Sequence, residues 1–150
     1  MTSLAALSSL TRLRDLTTTW CRGLSATSFH ADTLARLTRL DAMGLEFLGD
    51  EVCSMLPLVE ELNLAYTGIS NRGLGALAAG SPMLRVLTLA AKQENNFSSG
   101  FWTTSGLESF VEEVQLQPAR RGEHRDALAD DPGGLPAQQP RRQVEIRLVN

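Results

Sequence analysis

The sequence predicts an α/β solenoid, a short right-handed arc with a parallel sheet on its concave side and helices on its convex side. Three segments carry that expectation. Val59-Glu60-Glu61-Leu62-Asn63-Leu64 and Leu84-Arg85-Val86-Leu87-Thr88-Leu89 share one apolar spacing, and Val111-Glu112-Glu113-Val114-Gln115-Leu116 repeats it. A unit that recurs in this way buries its apolar side only against its neighbours, so the repeats must stack.

Laying the units under one another gives the register. Leu10, Leu13, Leu16 and Thr18 lead to Leu34, Leu37, Leu40 and Ala42 after 24 residues. Leu40 leads to Leu62 after 22, Leu62 to Leu87 after 25, and Leu87 to Val114 after 27. The first half of each unit alternates as a strand does, so Leu62 and Leu64 point inward while Glu61, Asn63 and Ala65 face out. The second half reads as a helix. Ser70 is an N-cap, Leu74, Leu77 and Ala78 follow at helical spacing, and Gly80 and Pro82 stop the element. The same layout is expected at Phe47, Asp50, Val52 and Met55, closing at Pro57, and more loosely at Leu24, Phe29 and Leu34.

The stretch from Leu62 to Leu84 resembles the cysteine-containing leucine-rich repeat of F-box/LRR proteins. Leu62-x-Leu64 is followed by Thr67 where the family has its first cysteine, by Gly73-Leu74 and Leu77-Ala78, by Ser81 at the second cysteine, and by Pro82-x-Leu84. The steps between units also fall within the roughly 20–29 residues of leucine-rich repeats. One whole repeat matches, and Leu4 to Gln117 matches in spacing. The resemblance implies a leucine-rich repeat horseshoe. It also implies a small polar side chain, three positions after the second strand residue, that bonds the backbone where the chain turns. That slot falls on Cys21, Leu45, Thr67 and Lys92. Cys21 is therefore expected to be buried and structural, and the fold is expected to loosen at Lys92, since a cation cannot fill the slot unpartnered.

Composition excludes several classes of function. The chain has 150 residues, 43% of them hydrophobic, which is enough for one cored domain. A net charge of -3 argues against nucleic acid, whose binding needs a basic stripe. No apolar run approaches the roughly 20 residues needed to span a bilayer. Cys21 and Cys53 are too few for a disulfide framework, so a reducing compartment is expected. The cytoplasm is the default, a cytoskeletal or axonemal place fits as well, and the nucleus stays open. His30 and His124 lack a second ligand at metal spacing. Asp130-Asp131 runs into Pro132-Gly133 and reads as a turn. With no phosphate loop and no nucleophile motif, the expectation is a non-enzymatic protein with no cofactor, no metal and no small-molecule substrate.

Three regions follow. Residues 1–117 are the repeat region, which begins halfway through a unit at Leu4 and Leu7; residues 118–142 are a flexible stretch rich in proline, glycine and arginine. Residues 143–150 alternate cleanly at Val144-Glu145-Ile146-Arg147-Leu148 and are either a last edge strand or the remnant of a longer protein. Between Leu89 and Val111, Phe97, Phe101 and Trp102 stand among serines, threonines and glycines. They either cap the repeat above or form a binding loop anchored by Phe101 and Trp102.

The expected function is protein binding on the concave sheet. Strand alternation places Asp15, Thr17 and Thr19, then Arg39, Asp41 and Met43, then Glu61 and Asn63, and lastly Thr88 on one outward face. Two settings suit such a face. One is the substrate-recognition part of an SCF-type ubiquitin ligase adaptor, which the resemblance implies, although no F-box is seen. The other is a scaffold subunit of a larger assembly such as a ciliary axoneme.

Overall fold

The computed structural model describes residues 9–90, 102–117 and 142–149. Leu4, Leu7, Lys92, Phe97, Phe101, His124, Asp130, Asp131 and most of the arginine-rich stretch lie outside the described residues. The fold is α/β, built on a parallel five-stranded sheet whose strands stand in chain order. These are β1 (Asp15–Thr17), β2 (Arg39–Asp41), β3 (Glu61–Asn63), β4 (Val86–Ala90) and β5 (Glu145–Val149). Register aligns Leu16, Leu40, Leu62, Leu87 and Ile146. Leu40, Leu62 and Leu87 are buried, as are Leu64 and Leu89 two residues further along the last two of these strands. The ladder continues beyond β1 and β2. Thr18 N–H donates to Asp41 O at 2.8 Å and Trp20 N–H to Met43 O at 2.8 Å; Ala42 N–H donates to Asn63 O at 3.0 Å and Gly44 N–H to Ala65 O at 2.9 Å.

Between strands the chain returns through α1 (Ala31–Arg36), a 3₁₀ turn at Asp50–Ser54, α2 (Asn71–Gly80) and α3 (Thr104–Leu116). Their apolar sides close the core over the sheet through Leu34, Val52, Leu74, Leu77, Phe110 and Val114. Each of the last two helices is fastened at its start to the return before it. Ser70 Oγ accepts from Arg72 N–H at 3.2 Å as the N-cap of α2, and Ser70 itself donates through N–H and Oγ to the Asp50 carboxylate at 2.7 and 2.6 Å. Thr103 Oγ1 accepts from Gly106 N–H at 3.1 Å as the N-cap of α3, while Asn71 Oδ1 accepts from Thr103 N–H at 2.8 Å. A carboxylate or amide thus supplies the acceptor that a helix start otherwise lacks.

At the end of the sheet β5 pairs with β4 over five residues, Val86 opposite Glu145 through Ala90 opposite Val149. Arg142, buried just before β5, donates to Ala78 O at 3.5 Å, to Gln117 Oε1 at 2.7 Å and to Ser81 O. Its guanidinium therefore meets the carbonyl end of α2, where a cation is favoured. Among the described residues no helix is long and apolar enough to cross a membrane.

Several expectations are corrected here. Val111 to Leu116 was expected as a strand but lies in α3. Leu107, Phe110, Val111 and Val114 recur at helical intervals, and a polar cap precedes them, so the helical period prevails over the local alternation. The strand that follows β4 is β5, 59 residues on from Val86 to Glu145, in place of the expected 27-residue step. The return around Asp50 is a five-residue 3₁₀ turn, and Phe47 is 68% exposed instead of packed. Cys21 is exposed rather than buried; the turn there closes through Cys21 N–H to Thr18 O at 3.2 Å and needs no side chain. Ala65 is fully buried, its methyl too short to reach solvent from the outward row.

Candidate functional site

The outward face of the sheet is the place where the strands assemble side chains from distant parts of the chain. Register sets Asp15, Arg39, Glu61, Val86 and Glu145 in one row. The next row holds Thr17, Asp41, Asn63, Thr88 and Arg147. The first row is tied together by charge. Arg39 Nη2 lies 2.7 Å from Glu61 Oε2, and its Nη1 lies 3.5 Å from Asp15 Oδ2. The hydrogen bond and charge of Glu61, followed by those of Asp15, hold the Arg39 guanidinium above its ordinary pKa. Such exposed pairs add little stability, so their effect is to fix where the charges stand. Arg147 Nε binds Glu145 Oε1 at 2.8 Å in the same manner.

The second row is used differently. Asp41 Oδ1 accepts from Met43 N–H at 3.2 Å, and Asn63 Oδ1 accepts from Ala65 N–H at 3.1 Å. Each side chain bonds the backbone two residues on and holds the chain as it leaves the strand. Both are half-buried, as are Thr19, Met43 and Thr88, whereas Asp15, Thr17, Arg39 and Glu61 are exposed. Of the nine residues expected on this face, Asp15, Arg39 and Glu61 form an exposed ionic group on β1, β2 and β3, and Asp41 and Asn63 shape the strand exits. Trp102 does not join them. It is half-buried against the core beside α3.

Two features escape a search for leucine periodicity. The first is the contribution of Glu145, Arg147 and Val149, which β5 adds to the face. The second lies at the strand exits. Trp20, Gly44 and Tyr66 occupy the same phase of three successive units, at steps of 24 and 22 residues. All three have left-handed backbone, with φ of 57°, 79° and 57°. For glycine this costs nothing, and for a bulky residue it costs about 1 kcal/mol or more. Because Gly44 has no side chain, the indole of Trp20 lies across it, and a Cβ there would run into the six-membered ring. The indole reaches the phenol of Tyr66, with ring centroids 5.7 Å apart and planes at 28°. Trp20 remains 48% exposed. The in-phase aromatic–glycine–aromatic pattern was the signal that could have revealed this stack.

Among the described residues no group of three or more His, Cys, Asp or Glu side chains could hold a metal ion. A shallow cavity of about 240 Å³ lies between α3 and the approach to β5, walled by Phe110, Val111, Val114 and Arg142. The Arg142 guanidinium beside it is turned to carbonyl oxygens of the fold. Neither a protein-family model nor a curated protein matches the chain.

Proposed function

We propose that this chain is a non-enzymatic protein-recognition module, a short leucine-rich repeat solenoid that offers the outward face of its sheet to a protein partner. The observation that carries this reading is the register, which sets Asp15, Arg39 and Glu61 beside the half-buried Leu16 and the buried Leu40 and Leu62 at near-constant steps. A broad polar row with charges held in place is suited to a protein surface, where electrostatic complementarity fixes register and partner choice. A small molecule needs an enclosing apolar pocket instead. The setting that follows from the repeat resemblance is substrate recognition for an SCF-type ubiquitin ligase, in the cytoplasm or nucleus. A scaffold role in an assembly such as an axoneme is favoured by a separate observation. Leu116, 85% exposed at the end of α3, and Leu148, exposed on β5, would be covered by a neighbouring subunit.

The test uses side chains that are exposed and outside the core. Partners captured by the immobilised chain are identified by cross-linking, and Asp15→Arg with Thr17→Arg is then compared with the parent. The expected result is a nearly unchanged melting temperature and partner binding weaker by several-fold or more. Undiminished binding moves the site off this face. Recovery of ligase components or of axonemal proteins separates the two settings.

A further inference from the structure

Burial does not explain the stack at the strand exits. A core needing only to be covered is served by glycine or asparagine at a left-handed position, yet two of the three positions carry the largest aromatic side chains, and nearly half of Trp20 faces solvent. We propose that the indole of Trp20, backed by Tyr66, works together with Asp41 on the neighbouring strand as a receptor for an arginine side chain on a basic segment of the partner. The proposal rests on the protein-recognition reading and names the chemistry that the partner brings to it.

Charge on the face decides the occupant. The outward rows carry four carboxylates, Asp15, Asp41, Glu61 and Glu145, against two guanidiniums, Arg39 and Arg147. Arg39 is occupied by Asp15 and Glu61, and Arg147 by Glu145. Asp41 is the carboxylate of these rows left without a cation among the described residues. Its Oδ1 accepts from Met43 N–H, which orients the group and leaves Oδ2 to accept from elsewhere. The ladder bonds Thr18 N–H to Asp41 O and Trp20 N–H to Met43 O put this carboxylate on the strand beside Trp20, at the same end of the sheet. Among the described residues, the turns that carry Trp20, Gly44 and Tyr66 hold one exposed charge of each sign, Arg22 and Glu46, so the sheet face sets the local field.

A guanidinium fits both halves of the site together. It is planar, stacks on an indole through its face, and donates from its edge to a carboxylate. An ammonium attracts both groups but cannot stack. An apolar anchor would desolvate Asp41 without giving it a donor, and an acidic or phosphorylated segment would meet like charge.

Calorimetric titration of the whole chain with a blocked glycine–serine peptide carrying two arginines tests this. Three controls replace arginine by lysine, by citrulline or by leucine. The arginine peptide should bind several-fold more tightly than the lysine peptide, and the two uncharged peptides should bind least. Trp20→Gly and Trp20→Asn both suit a left-handed backbone and should keep the parent's circular dichroism. Each should lower arginine-peptide affinity at least several-fold, as should Asp41→Asn. Equal binding of the citrulline or leucine peptide overturns the proposal. So does arginine binding that neither Trp20 variant weakens, or the absence of binding at millimolar peptide, or self-association through Trp20 in place of peptide binding. Against the captured partner the two readings separate. Loss with Asp15→Arg and Thr17→Arg but not with Trp20→Gly leaves the broad face standing and removes the arginine receptor. Loss with Trp20→Gly alone does the reverse.

Discussion

At the residue scale, the two thiols of the chain experience opposite surroundings. Burial pushes the Cys53 thiol up to about 12, and the charges of Asp50 and Glu51 add to the effect, while Cys21 is exposed. A disulfide reagent at mildly alkaline pH should therefore consume one thiol quickly and the second only on unfolding. A Cys21→Ser variant should lose the fast phase. The same shift links stability to pH. The native state keeps the Cys53 proton over a range in which the unfolded state releases it, so this contribution is full below about pH 9 and declines by about 1.4 kcal/mol per unit toward pH 12. Urea melts across that range, compared with Cys53→Ala, should show the decline in the parent and its loss in the variant. Thr67, three positions after Leu64, donates to Leu64 O at 2.7 Å where the chain leaves β3. The spacing could not report burial at Cys21, because burial needs a neighbouring strand on each side. Among the described residues β1 has a neighbouring strand on one side alone. The bonds of Asp41 and Asn63 to the backbone were not legible for a related reason: strand alternation gives the side of the sheet and says nothing about a bond to the residue two positions on.

At the element scale, two of the three glycines of α2, Gly75 and Gly73, have opposite prospects. Nothing lies within 4 Å of a Cβ placed at Gly75, so Gly75→Ala should stabilise the protein by up to about 1 kcal/mol through helix propensity alone. At Gly73 a Cβ would stand 2.5 Å from Asp50 Oδ1 and 3.2 Å from Cys53 Sγ. Asp50 cannot swing aside without giving up its two bonds to Ser70, so Gly73→Ala should lose about 1–3 kcal/mol despite the same propensity gain. Denaturant midpoints of the two variants should move in opposite directions. Strands were the legible elements, since a leucine pair that must enter the core leaves a clear period of two. Helices were less so. Val111-Glu112-Glu113-Val114 satisfies both the strand template and an i, i+3 helical pair, and only the cap at Thr103 and the earlier Leu107 and Phe110 decide it. The return at Asp50–Ser54 has a helix-like pattern but room for a single 3₁₀ turn before Pro57.

At the scale of the whole molecule, the strand order could be read from the repeat, because neighbouring units must pair. The far end could not. The alternation of Val144 to Leu148 left open whether it joins the sheet; β5 pairs with β4 over five residues, and Arg142 fastens the chain just before it. Its guanidinium bonds the carbonyl end of α2 and Gln117 after α3, and its own N–H donates to Gln117 O at 3.2 Å. Gln117 Nε2 in turn reaches Ala78 O at 2.8 Å. Arg142→Met keeps much of the volume and removes the charge-assisted bonds to Ser81 O and Gln117 Oε1, which should cost about 1.5–3 kcal/mol although Ala78 O and Ser81 O keep their other donors, Gln117 Nε2 and Leu84 N–H. Amide hydrogen exchange should then accelerate in the β4–β5 ladder, while protection in β2 and β3 is retained. Uniform acceleration across all strands would mean that the sheet opens as one unit and that Arg142 is no local fastening.

The stack of Trp20 on Tyr66 also makes the chain its own optical gauge. Tyr66 is the single tyrosine of the sequence. A phenol 5.7 Å from an indole passes its excitation on before it can emit. Light absorbed by Tyr66 should therefore leave the folded protein as tryptophan emission, and a separate tyrosine band should emerge only as the first and third units part. The coupled rings should also give a near-ultraviolet dichroic signal that disappears with Trp20→Gly while the far-ultraviolet spectrum persists. Loss of that band during denaturation, timed against loss of backbone signal, would report whether the first three strands separate before the rest of the sheet or together with it.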